Sequence, residues 1–286
     1  MSAFEYTTGQ ERFFDYCLWE YQPVTAFANK FRSINLLTQS FGAQGIGERA
    51  IDIIRAIQQG FGASRTIWGI KQEGDVIRWE FYFYDYERLE RNRTISRLLE
   101  IISPWNSCAI SVNEHYPYFM FSINLDRKQL MEGGPLEEIQ MYIGNAGSTV
   151  SSGICYSVTE TNITLKNFYF FFDVKTQMAE IVDKICSSAY LDITKLDINT
   201  ILWPEMKNCR TIVVANKRTH DGVYFSRINV AQLSVFLKRM CYPAEHISFV
   251  EQNKSQLDHM LYDVGFDYRM ENGQLKILKS SYYGFF

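Results

Sequence analysis

A short stretch in the first third of the chain carries polar residues at every second position among large aromatic ones. In Val76–Asp85, VIRWEFYFYD, the residues Arg78, Glu80 and Tyr82 alternate with Trp79 and its aromatic successors. Side chains two apart on a strand share a face, so one face carries a cation, a carboxylate and phenols. Such a face is either solvated or lines an interior that holds a charged ligand.

The same pattern recurs on the second strand of four further predicted hairpins. Residues two apart are Gln140 and Tyr142, Lys166 and Phe168, Tyr224 and Ser226, and, on the last strand, Lys279, Ser281 and Tyr283. A single lysine or arginine of this kind is most often on a solvated sheet face, and a single tyrosine most often packs. Five strands with one pattern favour a common lined interior.

Cations and phenol hydroxyls that converge from several strands would bind an anion, and a diphosphate suits them well. Neighbouring aromatic faces can stabilise a carbocation, and a dry chamber would protect that cation from water. The residues therefore point to the transfer of an allylic prenyl group.

The elements that would position these residues are five strand pairs, most of them with helices between. Turns are expected at Asp221–Gly222 and Asn272–Gly273, among others. This order differs from the strand-helix-strand alternation of a parallel sheet, and it predicts an α+β fold. We expect about ten antiparallel strands in a closed barrel surrounded by helices, which would leave no open edge. Residues 1–286 would form one domain, with 1–62 as a helical segment outside the barrel.

Several short patches resemble the soluble prenyltransferases of the ABBA barrel type, and among them the cyanobactin peptide prenyltransferases. The patches are IRWEFYFYD, SINLD followed by IQMYIG, ILWPEM, GVYFSRINVAQLSVFLKRM and SSYYGFF. Each patch is weakly specific alone, and their order and spacing carry the resemblance from about residue 64 onward. It implies a barrel in which dimethylallyl or geranyl diphosphate meets a small, cyclic peptide of the cyanobactin type.

The resemblance also implies roles for individual residues. Those expected on the diphosphate side are Arg78, Gln140, Tyr142, Lys166, Tyr224, Lys279 and Tyr283. The strand pattern adds Trp68, Tyr82, Phe168 and Ser226 around the prenyl group and the acceptor, with the core as the alternative place of Trp68. Mg²⁺ would be bound through the diphosphate oxygens, with no protein cage for a metal.

The sequence departs from the family at two positions. Gln140 stands where the family commonly has lysine. The first strand lacks the glutamate that the family uses to orient or deprotonate the acceptor, so Glu80, one strand further on, is the substitute candidate. A salt bridge between Glu80 and Arg78 is the alternative role for this carboxylate.

Two other functions stay open: prenylation of an aromatic small molecule, and a non-catalytic barrel that binds a hydrophobic ligand or a peptide. The net charge of -3 gives no reason to expect a nucleic-acid partner. The sequence has no signal-peptide pattern, no apolar run long enough to span a bilayer and no D-D-x-x-D cluster. We therefore expect a cytoplasmic monomer without a membrane partner.

Overall fold

The computed structural model describes residues 4–10, 15–16, 19–62, 66–85 and 91–286, without the side chains of residues 15–16 and 19–20. Ten antiparallel strands form a closed barrel. In chain order they are β1 (Thr66–Glu73), β2 (Val76–Tyr84), β3 (Tyr118–Leu125), β4 (Ile139–Gly144), β5 (Ser152–Val158), β6 (Ile163–Asp173), β7 (Thr211–Lys217), β8 (Asp221–Ile228), β9 (Tyr262–Glu271) and β10 (Gln274–Phe285).

The topology is a simple meander. Each strand pairs with the next one in the chain, and β10 pairs with β1, where Tyr283 lies opposite Gly69. All five hairpins therefore turn at the same end of the barrel, which we call the hairpin end. A barrel of about eight strands is filled by its own side chains, so ten strands leave room for a lumen. The predicted α+β barrel of the ABBA type is confirmed.

Helices surround the barrel. They are α1 (Ile34–Ala43), α2 (Glu48–Phe61), α3 (Ile95–Ile102), α4 (Arg127–Glu132), α5 (Met178–Cys186), α6 (Val230–Arg239), α7 (Ala244–Gln252) and α8 (Lys254–Leu257). Two 3₁₀ turns span Ile198–Thr200 and Pro204–Met206, and two pairs of two-residue strands join Asp15–Tyr16 to Trp19–Glu20 and Asn106–Ser107 to Gly134–Pro135.

The apolar face of β2 shows why the helices lie outside. Trp79 donates from Nε1 to Ser40 Oγ of α1 at 2.8 Å, and its ring lies 5.3 Å from that of Phe41. Phe83 packs against Phe61 at the end of α2, with ring centroids 5.2 Å apart. Burying such rings removes large apolar areas from water, which is the main force that holds the helices to the sheet.

Three local predictions differ from the structure. The N-terminal helices begin only at Ile34, and Asn29 has a φ of +59°, which no helix can continue. The pattern of residues 253–264, NKSQLDHMLYDV, predicts one helix, but α8 ends at Leu257, because residues from Tyr262 onward pair with β8. The β7–β8 turn lies at residues 218–220 instead of at Asp221–Gly222, because Asp221 already pairs with Asn216.

Candidate functional site

Two of the cavities that the described residues enclose lie in the barrel lumen. The larger, about 610 Å³, lies toward the hairpin end and has mostly charged and polar walls, so we call it the charged cavity. The smaller, about 140 Å³, has mostly apolar walls and is called the apolar cavity. Both cavities are lined by the same five tyrosines, which lie at their boundary: Tyr82, Tyr142, Tyr169, Tyr224 and Tyr283.

These five residues form a tyrosine layer across the lumen. They come from β2, β4, β6, β8 and β10, that is, from every second strand. The rings contact one another in the order Tyr283, Tyr82, Tyr142, Tyr169, Tyr224, with centroid distances between 5.9 and 6.3 Å.

Small residues on the intervening strands make room for the rings. Each tyrosine lies opposite a small residue of the following strand. The pairs are Tyr82 and Ser122, Tyr142 and Cys155, Tyr169 and Ala215, Tyr224 and Gly265, and Tyr283 and Gly69. Alternation of small and large residues is how a barrel interior is filled without strain. A Cβ on Gly69 would lie 2.6 Å from the Tyr283 ring.

We expect Gly265→Ala to lower the free energy of unfolding by about 1–3 kcal/mol, the usual cost of overpacking. The added Cβ would lie 2.1 Å from Cδ1 of Tyr224, so the ring would have to move. Urea unfolding measures the change. Gly147→Ala is the control, because its Cβ would meet nothing within 4 Å. Equal stability of the two variants would contradict this placement of the Tyr224 ring.

The hydroxyl groups of the tyrosine layer point toward the charged cavity. Tyr82 donates to Glu80 Oε2 at 2.8 Å, and Tyr142 donates to Gln140 Oε1 at 3.0 Å. Asn167 donates to the Tyr169 hydroxyl at 3.0 Å. Burial, followed by nearby carboxylates, raises the pKa of Tyr82 and Tyr224 well above the usual range, so these phenols stay neutral hydrogen-bond donors.

Glu80 and Lys71 form the first charged cluster of this cavity. Lys71, on β1, contacts Oε1 of Glu80, while Oε2 accepts from Tyr82 and, at 3.5 Å, from Tyr283. Burial alone would raise the pKa of Glu80, but the Lys71 ammonium outweighs it and lowers the pKa below the usual value. Glu80 is therefore a carboxylate at neutral pH. Its partner is Lys71 and not Arg78, so the alternative salt bridge is wrong.

Asp267, on β9, is the centre of the second cluster. Lys217 Nζ lies 2.7 Å from Oδ1, and Lys279 Nζ and His220 Nε2 lie 3.0 and 2.9 Å from Oδ2. Lys217 also donates to the Tyr224 hydroxyl at 2.9 Å. Burial would raise the pKa of Asp267, but Lys217, His220 and Lys279 hold it far below its usual range. Burial lowers the pKa of Lys217 to about 8, although Asp267 opposes the shift.

Two further ion pairs lie nearer to the hairpin end. Lys166 contacts Glu138, and Arg78 Nη1 lies 3.7 Å from Glu73 Oε2 with its side chain 49% exposed. The charged cavity is lined by six lysines and arginines against three glutamates. If the Asp267 carboxylate behind the cavity wall is counted as a fourth negative charge, two positive charges remain in excess. The cavity is thus suited to an anion with more than one charge.

The apolar cavity lies on the other side of the tyrosine layer. Its walls include Ile67, Met120, Phe171 and Val213, and besides the tyrosines its polar members are Thr211, Ser226 and Asp263. Ile67 and Met120 belong to an apolar cluster inside the lumen that is separate from the core between barrel and helices. A hydrocarbon chain fits these walls better than a charged group does.

Most residues singled out in the sequence meet in the lumen. Around the charged cavity or the tyrosine layer lie Arg78, Glu80, Tyr82, Gln140, Tyr142, Lys166, Tyr224, Lys279 and Tyr283, and Ser226 lies at the apolar cavity. Their proximity does not test the individual roles expected from the resemblance.

The expected places of Trp68 and Phe168 in the chamber are wrong. Trp68 donates from Nε1 to the Phe285 carbonyl at 3.1 Å and belongs to the core outside the barrel wall, because Ile67 and Gly69 take the inward positions. Phe168 lines neither cavity. A β-bulge between Leu165 and Asn167 shifts the register, so that Asn167 and Tyr169 face the lumen after Lys166.

Five residues of the charged clusters and the tyrosine layer were missed: Lys71, Lys217, His220, Asp267 and Tyr169. Three of them lie on first strands of hairpins, which the comparison of second strands did not include. The signal was available, because Gly69 and Lys71, Ala215 and Lys217, and Gly265 and Asp267 repeat the spacing of two. Tyr169 was missed because the bulge near Lys166 changes the face on which the later residues of β6 lie.

Among the described residues, no group of three or more His, Cys, Asp and Glu side chains is placed to hold a metal ion. Nor does the described part of the chain contain a helix that is long and apolar enough to span a membrane.

Neither the protein-family models nor the curated proteins compared with this sequence include a match. The fold and the lumen therefore carry the functional argument.

Proposed function

We propose that the protein is a prenyltransferase that moves a dimethylallyl or geranyl group from its diphosphate to a residue of a small peptide. The observation that carries this proposal is the order of layers in one lumen: cations, then five tyrosines, then an apolar cavity. That order matches the diphosphate, the reacting carbon and the hydrocarbon chain of a prenyl donor. The charged cavity also has the size typical of ligand sites, about 300–1,000 Å³.

In this mechanism the chain's own residues do three things. Lys217 and Lys279, with Lys71 on β1 and Arg78 on β2, would neutralise the charge that grows on the departing diphosphate. The faces of the tyrosine layer would stabilise the allylic cation and exclude water from it. Glu80 would receive the proton of the acceptor.

Mg²⁺ is expected to enter with the donor. Because the described residues offer no three-ligand cluster, the diphosphate oxygens would hold the ion. No step of the mechanism is assigned to it.

The peptide is the preferred acceptor because the rim of the charged cavity offers apolar contact outside the lumen. Leu165 lines that cavity and is 49% exposed, and Ile163 on the same hairpin and Val76 on the β1–β2 hairpin are also exposed. Exposed apolar residues beside a binding cavity are typical of a surface that contacts a larger ligand.

The test is incubation with dimethylallyl or geranyl diphosphate and two acceptor sets, read by mass spectrometry. One set contains short linear and cyclic peptides, and the other contains aromatic small molecules. A peptide that gains a prenyl mass supports the proposal. If only the small molecules gain this mass, the acceptor is an aromatic small molecule and not a peptide. If no acceptor gains mass while calorimetry detects donor binding, the protein is a binding barrel and the transferase proposal fails.

We expect the affinity for inorganic diphosphate to fall above pH 8. Lys217, with its pKa of about 8, is charged below that pH and neutral above it, so the cavity loses one positive charge as the pH rises. The loss is up to about tenfold per pH unit for one linked proton. Titration calorimetry between pH 7 and 9 measures it.

Lys217→Arg is the matched control for this pH dependence. An arginine keeps its charge throughout the range, so its titration should show only the ionisation of diphosphate itself. The same slope in both proteins would show that Lys217 does not contact the anion.

A further inference from the structure

Both oxygens of the Glu80 carboxylate already have partners. Oε1 contacts Lys71, and Oε2 accepts hydrogen bonds from Tyr82 and Tyr283. The carboxylate is also buried, with only 5% of the residue exposed. A general base needs an oxygen within reach of the proton that it removes. The Lys71 ammonium group at Oε1 makes Glu80 a weak base, so Glu80 would take up a proton more readily if this partner moved away.

Lys71 is the partner that can move. The tyrosines are held in the ring layer, with the centroids of Tyr82 and Tyr283 5.9 Å apart. The Lys71 ammonium group instead lies at the end of a flexible four-carbon side chain that lines the charged cavity. The residues opposite Lys71 on the neighbouring strands are Arg78 and Ser281. A diphosphate carries more negative charge than one carboxylate and would compete with Glu80 for the ammonium group.

We propose that the donor diphosphate draws the Lys71 ammonium away from Glu80 and thereby frees Glu80 Oε1 to accept the proton of the acceptor. Lys71 is thus a positioning residue that makes base catalysis depend on donor binding. This inference rests on the proposed function. It also implies an order, in which the donor binds before the acceptor is activated.

The step balances as follows. The bond between the donor's C1 and the diphosphate oxygen breaks, and its electron pair leaves with the diphosphate. A bond forms between C1 and the acceptor heteroatom, whose proton passes to Glu80 Oε1. The products are the prenylated acceptor and diphosphate, and Glu80 releases its proton to solvent before the next cycle begins.

The surroundings of Glu80 leave few other groups that could hold it. Tyr82 and Tyr283 stay neutral, because burial followed by the Glu80 charge raises their pKa well above the usual range. The groups that face the carboxylate from the packed strands are Lys71 on β1, Tyr82 on β2, Asn124 on β3, and Lys279 and Tyr283 on β10. If Lys71 departs, Glu80 loses the positive charge that lowers its pKa most, and the pKa of Glu80 should rise.

The test is a ¹³C NMR titration of glutamate carboxyl groups, with and without saturating inorganic diphosphate. The signal of Glu80 is identified by its loss in Glu80→Gln, and calorimetry on the same sample reports binding. In the wild type we expect diphosphate to raise the pKa of Glu80 by about one unit or more. In Lys71→Met the pKa should be high from the start, and diphosphate should change it much less.

Three outcomes overturn the inference. If diphosphate binds and the pKa of Glu80 does not rise, Lys71 does not leave. If the rise is as large in Lys71→Met as in the wild type, it comes from the anion's own charge. If calorimetry detects no binding at all, the proposed donor site fails and this inference fails with it. Lys71→Gln takes the place of Lys71→Met should the latter not fold.

Discussion

Replacing Lys279 with Met is expected to lower kcat/KM for the prenyl diphosphate by about ten- to a hundredfold, without loss of the fold. A hydrogen bond to a charged group contributes about 1.5–3 kcal/mol, which corresponds to that factor. Lys279 lines the charged cavity and lies 3.0 Å from Asp267. Asp267 keeps Lys217 and His220 in the variant, so no buried carboxylate is left without a cation.

Lys276→Met is the matched control, since it makes the same change three residues earlier on β10. Lys276 is 57% exposed and bonds to Glu271 at 2.8 Å, away from both cavities. Steady-state kinetics with the peptide acceptor measures both variants, and calorimetry with inorganic diphosphate gives the binding part. Equal activity of the two variants would show that Lys279 does not bind the diphosphate.

The barrel could be predicted from the sequence because its signal is repeated and local. Each hairpin alternates polar and apolar residues at a spacing of two, and turn residues separate the strands. The turn at Asn272–Gly273 is an example, with φ values of +53° and +76°, as a tight hairpin turn requires. Five repeats of such a pattern leave a closed antiparallel sheet as the simplest arrangement.

The lumen could be predicted only in part, because its details depend on register. Once a bulge adds a residue, every later side chain on that strand changes face. This is why Phe168 lies outside the lumen and Tyr169 lies inside it. A bulge has no reliable local sequence signal, so alternation alone could not place these residues.

The partner of Glu80 shows the other limit. The sequence suggests Arg78 as the partner, because Arg78 lies two residues from Glu80 on the same face of the strand. The structure instead places Lys71 of the neighbouring strand against the carboxylate, while Arg78 lies near Glu73 toward the hairpin end. Contacts between strands depend on the pairing of the whole sheet, and a single strand does not contain that information.

Asp267→Asn is expected to lower the free energy of unfolding by about 3–5 kcal/mol, the cost of removing one partner from a buried ion pair. Asp267 is 1% exposed and bonds to Lys217, Lys279 and His220. The amide would leave these groups without a negative partner. For a chain of this size the melting temperature should fall by roughly 6–20 °C.

The pH dependence of this difference follows from the depressed pKa of Asp267. Because the folded pKa lies below the unfolded one, the stabilisation is complete above the ordinary aspartate range and is lost as the pH falls through the folded pKa. The part of this gap that comes from titration of Asp267 itself should therefore be complete at neutral pH and decline only in acid, below about pH 4.

Glu271→Gln is the control on the same strand. Glu271 bonds to Lys276 and Arg269 at the exposed end of β9, and surface pairs of this kind contribute about 0–1 kcal/mol. Thermal unfolding of the two variants, each followed from pH 7 to pH 3, separates the two positions. If Asp267→Asn were as stable as Glu271→Gln, the Asp267 cluster could not hold the lysines of the charged cavity in place, and the cation layer would need another explanation.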